Sequence, residues 1–420
     1  MDFRALPSGT FTLDNVTVPA CLIGQAGDLI TTSLTIADGR IATDRSDTVV
    51  DTRGAMVLPG FVDMHTHLDK GHIWPRASNP DGTFMGALTT VGADRLANWS
   101  AEDVAARMEF SLRCAYAHGT RAIRTHLDSL PPQDAISFPV FRQMREAWKG
   151  RIELQASCLV AIDKVFRTGE FAKTAQIVAE SGGVLGAVTY PVPDLRERLL
   201  DFFALAQEYD LHVDFHVDET EDPKSDTLRT VAEVVLQTGF ARPVTVGHCC
   251  SLARMDDETA ETVIDLVAAA DLNVVSLPMC NMYLQDRHAG RTPRWRGVTM
   301  VHELAAARVN VSFASDNTRD PFYAYGDLDM VEVLREATRI CHLDHARGDW
   351  VQSVFANPAR ACGFEAPSLL PGAPADLTLF RARSWTEFFA RPQSDRIVMG
   401  GGQAIDRRLP DYSELDPLMS

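Results

Sequence analysis

Val57-Leu58-Pro59-Gly60-Phe61-Val62-Asp63-Met64-His65-Thr66-His67-Leu68-Asp69 is the stretch on which the reading of this chain turns. It reads as a buried strand that follows a Pro-Gly pair and ends in two histidines one residue apart. Side chains at i and i+2 of a strand share a face, so His65 and His67 project together. Two imidazoles so placed, at the carboxyl end of an apolar strand, can grip one metal ion. An ordinary polar strand end is the competing reading of an isolated His-x-His, and the rest of the chain decides between the two.

Downstream, Asp69 to Trp99 is rich in Gly, Pro and Asn and reads as one long loop carrying Lys70, His72 and Trp74. A loop of this length inside a compact domain is usually functional. Ser100, with Asp103 three residues on, caps a helix that runs to His118-Gly119. Strand-like runs then alternate with amphipathic helical ones. The strands are Arg121–Asp128, Ile152–Val160, Val184–Tyr190, His212–Val217, Val244–His248, Asn273–Leu277 and Val309–Ser315. The intervening helices include Phe166–Ser181, Leu195–Tyr209, Asp226–Thr238, Asp257–Ala270 and Val301–Ala307. With the opening strand the count is eight, the number for a (β/α)8 barrel of the TIM type, whose active sites lie at the carboxyl ends of the strands. A doubly wound open sheet is the alternative, but no G-x-G-x-x-G follows any strand. Met330–Cys341 and Trp350–Asn357 read as further helices, the second stopping at Pro358.

Both chain ends have β-character. Phe11–Leu13, Asn15–Val18 and Ser33–Ile36 are short strands, and Asp38-Gly39 is a hairpin turn. Gly372–Phe380 and Asp395–Met399 match them at the other end. The expected organisation is a small discontinuous β-sandwich domain, residues 1–56 and 368–420, beside a metal-dependent barrel, residues 57–367.

Composition narrows the class. Of 420 residues, 45% are apolar and 23% charged, as in soluble globular proteins. The net charge of −17 argues against non-specific nucleic-acid or anionic-lipid binding. No run of about 18 apolar residues predicts a membrane span, and Met1–Pro7 lacks a basic-then-apolar leader. The eight cysteines are scattered without a C-x-x-C pair, which fits reduced thiols in a cytoplasmic protein better than a disulfide framework.

If the strands close into a barrel, their polar termini converge: His65 and His67, then Thr125-His126-Leu127-Asp128, then His216-Val217-Asp218-Glu219, then His248, then Ser315-Asp316-Asn317. A catalytic zinc or iron site needs three or four N/O ligands and an open position for water. His65, His67, His216 and Asp316 supply them. Water on such an ion drops in pKa toward ~7. Glu219 is the candidate to move its proton, and His248 can hydrogen-bond the nascent hydroxide or the developing oxyanion. His126 divides evenly between a structural and a supporting role.

In this order, between β-rich ends, these residues resemble the amidohydrolase superfamily over nearly the whole chain. Within it, His65–Asp69, Arg124–Asp128, His216–Glu219, Asn281–Gln285, Arg296–Thr299, Asp316 and Asp320–Phe322 are similar to bacterial cytosine deaminases. The resemblance implies one divalent metal, zinc or iron, on His65, His67, His216 and Asp316, with Glu219 as proton shuttle to a ring nitrogen and His248 beside the attacking hydroxide. Val184–Tyr190 has no lysine of the kind binuclear relatives carbamylate, which favours a mononuclear site. Two departures bear on substrate. Asn317 stands where the cytosine deaminases carry a second aspartate, and Cys158–Asp163 lacks their glutamine. An amide reads a different hydrogen-bond pattern from a carboxylate.

The expected function is hydrolytic deamination of an amino-substituted nitrogen heterocycle (a pyrimidine, pterin or triazine), with Asn317, Gln285, Trp74 and Phe322 as substrate contacts. Arg291, Arg294 and Arg296 are either carbonyl-binding groups or a solvated loop. Cleavage of a cyclic amide or N-alkyl group by the same metal site is the alternative, and a non-catalytic barrel scaffold a minor one. The partner is a small heterocyclic molecule. Many relatives are homo-oligomers, but no stretch of this chain identifies an interface.

Overall fold

The structure, a computed structural model, describes residues 5–345 and 349–419; Met1–Arg4, read above as part of a chain start without a leader, lie outside the described residues. The chain forms a mixed α/β fold of one mixed sheet and two parallel sheets. The mixed sheet joins both chain ends. Its order is Gln403–Ala404, Ile397–Gly400, Leu377–Phe380, Met56–Pro59, Phe11–Pro19, Leu29–Ala37 and Arg40–Ala42, with Val49–Asp51 also pairing with Phe11–Pro19. The Asp38-Gly39 hairpin forms as the sequence predicts, both residues at positive φ (48° and 74°), the conformation a two-residue turn of matching twist needs.

Gly60 is where the chain leaves this sheet. Met56–Pro59 runs antiparallel to Leu377–Phe380, and one residue later Phe61–Thr66 pairs in parallel with Thr120–Asp128. A β-carbon at Gly60 would lie 2.3 Å from Arg121 Cγ, so the crossing needs glycine. The first parallel sheet is completed by Glu153–Leu159. The second runs Leu185–Thr189, Val213–Val217, Val244–His248, Asn273–Ser276 and Asn310–Phe313. All eight strands expected from the sequence are present.

Bridges link the two sheets at both seams. Ser157 pairs with Val184 and Ala161 with Val188 at one, and Thr66 with Asp316 at the other. At the second seam Asp316 N–H donates to the His65 carbonyl at 2.9 Å. Asp63 reinforces it by accepting from Ser315 N–H at 3.1 Å and Ser315 Oγ at 2.5 Å. Below this level Arg124, fully buried, donates to Gln155 on the adjacent strand at 2.6 Å and to Asp214 of the second parallel sheet at 2.8 Å, tying the two sheets through the interior.

Two local expectations are corrected. Residues 69–99 are not one loop, because Phe84–Asn98 is helical. Its glycines and threonines give weak helical periodicity, and contacts compensate: Thr83 caps it by accepting from Gly86 N–H, and Asp94 accepts from Arg76, Asn98 and Trp99. Pro358 does not stop a helix. Trp350–Val354 is a 3-10 turn, and Ala356–Cys362 is a separate helix with Pro358 in its first turn, where the missing N–H has no intrahelical partner to lose. Among the described residues no helix is long and apolar enough to cross a membrane.

Candidate active site

The strand period places His65 and His67 on one face, and the seams bring strand ends from both sheets to them. His65 Nε2 lies 3.1 Å from His216 Nε2, and His216 Nε2 lies 3.3 Å from His67 Nε2. Asp316 Oδ1 lies 3.5 Å from His65 Nε2 and 3.2 Å from His67 Nε2. Ligands held about 2.0–2.1 Å from a tetrahedral zinc ion lie about 3.3 Å apart, so these separations fit one ion at their centre. The charge arrangement agrees. Three imidazole nitrogens and a carboxylate crowd one buried point, and apart from the Cys280 thiol no donor among the described residues meets either Asp316 oxygen. Burial first, then neighbouring positive groups, push all three histidines well below their ordinary pKa, leaving neutral imidazoles whose lone pairs suit a cation. Burial lifts Asp316 to about 7.

Backbone geometry aims the other groups. Asp316 and His248 sit at φ 64° and 68° and Asp218 at 47°, left-handed values that non-glycine residues rarely adopt and that cluster at functional sites. The Asp218 carboxylate accepts from Ser225 Oγ, Thr227 Oγ1 and Leu228 N–H, which locks the turn carrying Glu219. Asn281 then links Glu219 to His248: its Nδ2 donates to Glu219 Oε1 at 3.2 Å and to His248 Nδ1 at 2.9 Å. The second bond assigns the neutral His248 proton to Nε2, which has no other partner. Burial holds His248 down at about 3. Burial, then the Asp316 charge, raise Glu219 well above the carboxylate range.

These groups open into a cavity of about 720 Å³ lined by His67, His216, Glu219, His248 and Asp316 and, of the expected substrate contacts, by Asn317, Gln285 and Phe322. Trp74 is not among the residues that line this cavity. His72 and Trp74 N–H groups donate to the Thr318 and Arg319 carbonyls, each at 2.9 Å, which holds that segment against the loop after the last strand. Arg291 and Arg294 engage Asp286, and Arg296 donates to the Ile340 carbonyl; none of the three lines the cavity. His126 is buried beneath the cluster, its ring 4.0 Å from that of His65, and does not line the cavity either.

Several lining residues carried no assigned role in the sequence. Lys70 is in the wall, 3.6 Å from Asp128 and 4.9 Å from the Phe322 ring centroid; burial opposes its charge, but Asp128, Asp320, Asp69 and Asp316 together raise its pKa. The helix 84–98 contributes Phe84, Met85, Leu88 and Val91. Arg95 of that helix pairs with Asp128 at 3.0 Å, fixing the apolar wall to the polar one. Asn281 and Gln285 both reach the Glu219 segment, and the sequence signal for Asn281 is only its place in the stretch 281–285 that resembles cytosine deaminases.

An inward cluster of three imidazoles and a carboxylate at the ends of parallel strands is a donor set that fits a divalent ion, and the family comparison points the same way. The amidohydrolase family profile matches residues 48–126 and 139–402, and the chain belongs to that family. It is a hydrolase acting on carbon–nitrogen bonds other than peptide bonds. It is 55% identical over 422 residues to a pterin deaminase of Rhizobium rhizogenes, covering 97% of both chains. Among solved structures it resembles 5-methylcytosine deaminase of Klebsiella pneumoniae, with a TM-score of 0.80 at 24% identity, covering 96% of this chain and 98% of that one. A zinc-bound adenosine deaminase of Xanthomonas campestris aligns with a TM-score of 0.68 at 18% identity, covering 97% of each chain.

Proposed function

We propose that this chain is a hydrolytic deaminase of the pterin ring, converting the amine-bearing carbon of a 2-amino-4-oxopteridine to a carbonyl with release of ammonia. One observation carries the reading: His67, His216, Asp316, Glu219 and His248 line a single cavity, with His65 packed against His216 and Asp316 at its floor. The identity to a pterin deaminase over almost the whole chain supports the ring class. On this reading the eight parallel strands form one closed (β/α)8 barrel that begins at Phe61, and the chain ends form the small β domain beside it, which takes in Met56–Pro59 rather than stopping at residue 56.

One divalent ion, zinc or iron, would be held by His65, His67, His216 and Asp316, and would supply activation of a water molecule as the nucleophile. The chain's own residues do the rest. Water adds to the amine-bearing carbon as Glu219 takes its proton and delivers it to the adjacent ring nitrogen. A group that must accept and then donate near neutrality needs a pKa above the usual carboxylate range, which burial and Asp316 give Glu219. His248 donates its Nε2 proton to the oxygen that gains charge in the tetrahedral intermediate. The hydroxyl of the tetrahedral intermediate gives its remaining proton to Glu219, which passes it to the amino group; the carbon–nitrogen bond breaks, and ammonia leaves as the carbonyl forms.

Substrate recognition falls to the loops. The Asn317 amide is fixed at both ends: its oxygen accepts from Cys280 Sγ at 3.5 Å and its nitrogen donates to Asp320 at 2.7 Å. The remaining N–H can meet a ring acceptor, where a carboxylate would require a donor. Phe322 and the apolar helix wall flank the ring.

The test is ammonia release by the metal-loaded protein from pterin, cytosine, an aminotriazine, guanine and a cyclic amide, with ring absorbance followed in parallel. Pterin is the expected substrate, with stoichiometric ammonia. Turnover of another ring but not pterin refutes the ring assignment, and ring opening without ammonia refutes deamination.

A further inference from the structure

The residues that hold the metal cluster and those that line the substrate site are secured by different means. Asp316 is hydrogen-bonded to the His65 backbone, and Ser315 to Asp63, so the ligand positions belong to the strand framework. Lys70, Asn317 and Phe322 lie beyond the strand ends, on two loops that reach each other through few bonds. These are His72 N–H to Thr318, Trp74 N–H to Arg319, and Asn79 Nδ2 to the Pro321 carbonyl at 3.0 Å.

A segment far away in sequence lies across both loops. Residues Tyr412–Leu418 form a 3-10 turn closed by a capping box between Asp411 and Glu414. The Tyr412 ring stacks under the Arg319 guanidinium at 4.1 Å and against Phe110 at 5.7 Å, and its hydroxyl donates to Asp327 at 3.1 Å. Arg319 and Asp327 both belong to the loop that follows Asp316. At the other end of the turn, the Leu418 carbonyl accepts from Arg76 Nη1 at 2.8 Å. Arg76 belongs to the loop that follows His67, and it also pairs with Asp94 of the cavity-wall helix at 3.0 Å. Between these contacts, Leu415 is buried against Phe110 and Cys114, and Glu414 pairs with Arg113 at 2.6 Å. The segment itself contributes no residue to the cavity lining.

We propose that residues 411–418 are a positioning element for the substrate site, with Tyr412 its principal positioning residue, acting through Arg319 and Asp327 on the loop that carries Asn317 and Phe322. Removal of the Tyr412 contacts loosens substrate recognition and leaves the metal cluster in place. The inference rests on the reading of the 720 Å³ cavity as the substrate site.

The experiment compares Tyr412→Ala and Tyr412→Phe with the unaltered full chain, measuring metal content, kcat and KM for pterin, and backbone hydrogen exchange. Tyr412→Ala is expected to raise KM roughly tenfold, because small displacements of binding groups carry large costs, while kcat and metal content stay within about a factor of two or three. Exchange is expected to rise in residues 70–79 and 317–327 and not in the strands. Tyr412→Phe keeps the stacking on Arg319 and Phe110 and is expected to recover most of the loss. Unchanged KM and unchanged exchange in those loops overturn the proposal. So does a uniform rise in exchange with loss of metal, which marks a general structural role. The exchange and metal measurements use no substrate, so a protein that ignores pterin still tests the positioning role, and the ring assignment fails separately.

Discussion

Glu219→Gln separates the metal site from the proton path. Glu219 is outside the group of mutually close imidazole nitrogens and Asp316; its carboxylate lies 3.2 Å from Asn281 Nδ2 and 3.4 Å from His248 Nδ1. Glutamine has the same shape and keeps an oxygen able to accept from Asn281, so the cluster and cavity persist. What disappears is a group able to take and return a proton. A positioned general acid–base contributes about 10²–10⁴-fold, so kcat/KM should fall by that factor, or about 3–5 kcal/mol of transition-state stabilisation. Stability of the metal-free protein should move the other way. Burial and Asp316 raise the folded carboxyl above its unfolded value, so its ionisation weakens the fold as pH rises above the ordinary glutamate value of 4.5. Glutamine removes that penalty, and the metal-free variant should match or exceed the parent in melting temperature at pH 7.5, with the gap closing toward pH 5. Metal analysis, ammonia release from pterin and thermal melts read the three quantities. Activity within threefold of the parent refutes the shuttle; lost activity together with lost metal refutes the separation of roles.

Three further outcomes follow from the framework. Arg124→Met leaves Asp214 fully buried without its cationic partner and should cost about 3–5 kcal/mol in denaturant unfolding, whereas Arg124→Met with Asp214→Leu should recover a large part of that; equal losses in the two variants would contradict the buried-pair account. Asp329 is held down at about 2, since Arg396 and His118 outweigh the burial that would raise it. A depressed carboxyl stabilises above its unfolded value of 3.8 and loses that stabilisation as pH falls toward 2, an effect of about 2 kcal/mol that Asp329→Asn should remove from the acid limb of the stability profile. Gly60→Ala places a β-carbon 2.3 Å from the near end of Arg121 and should cost about 1–3 kcal/mol in unfolding experiments, with metal content unchanged in the protein that folds; a neutral substitution there would show that the strand crossing tolerates a side chain.

Local rules carried much of this protein. The period of two put His65 and His67 on one face before any contact was known, and the alternation of strands and helices placed His216, His248 and Asp316 at strand ends, where parallel strands expose their chemistry. Those features depend on neighbours along the chain, which is why the sequence sufficed for them. The rest depends on residues far apart. The helix 84–98 forms against its weak intrinsic preference because Arg76, Asp128 and the Thr83 cap hold it. Trp74 lies outside the cavity because its backbone pairs with residue 319. Asn281 joins Glu219 across 62 residues, and Tyr412 meets Asp327 across 85. No periodicity encodes such pairings, because they arise only when strand closure brings distant loops together. The sequence determined which side chains could do the chemistry, and the tertiary structure decided which of them face the same space.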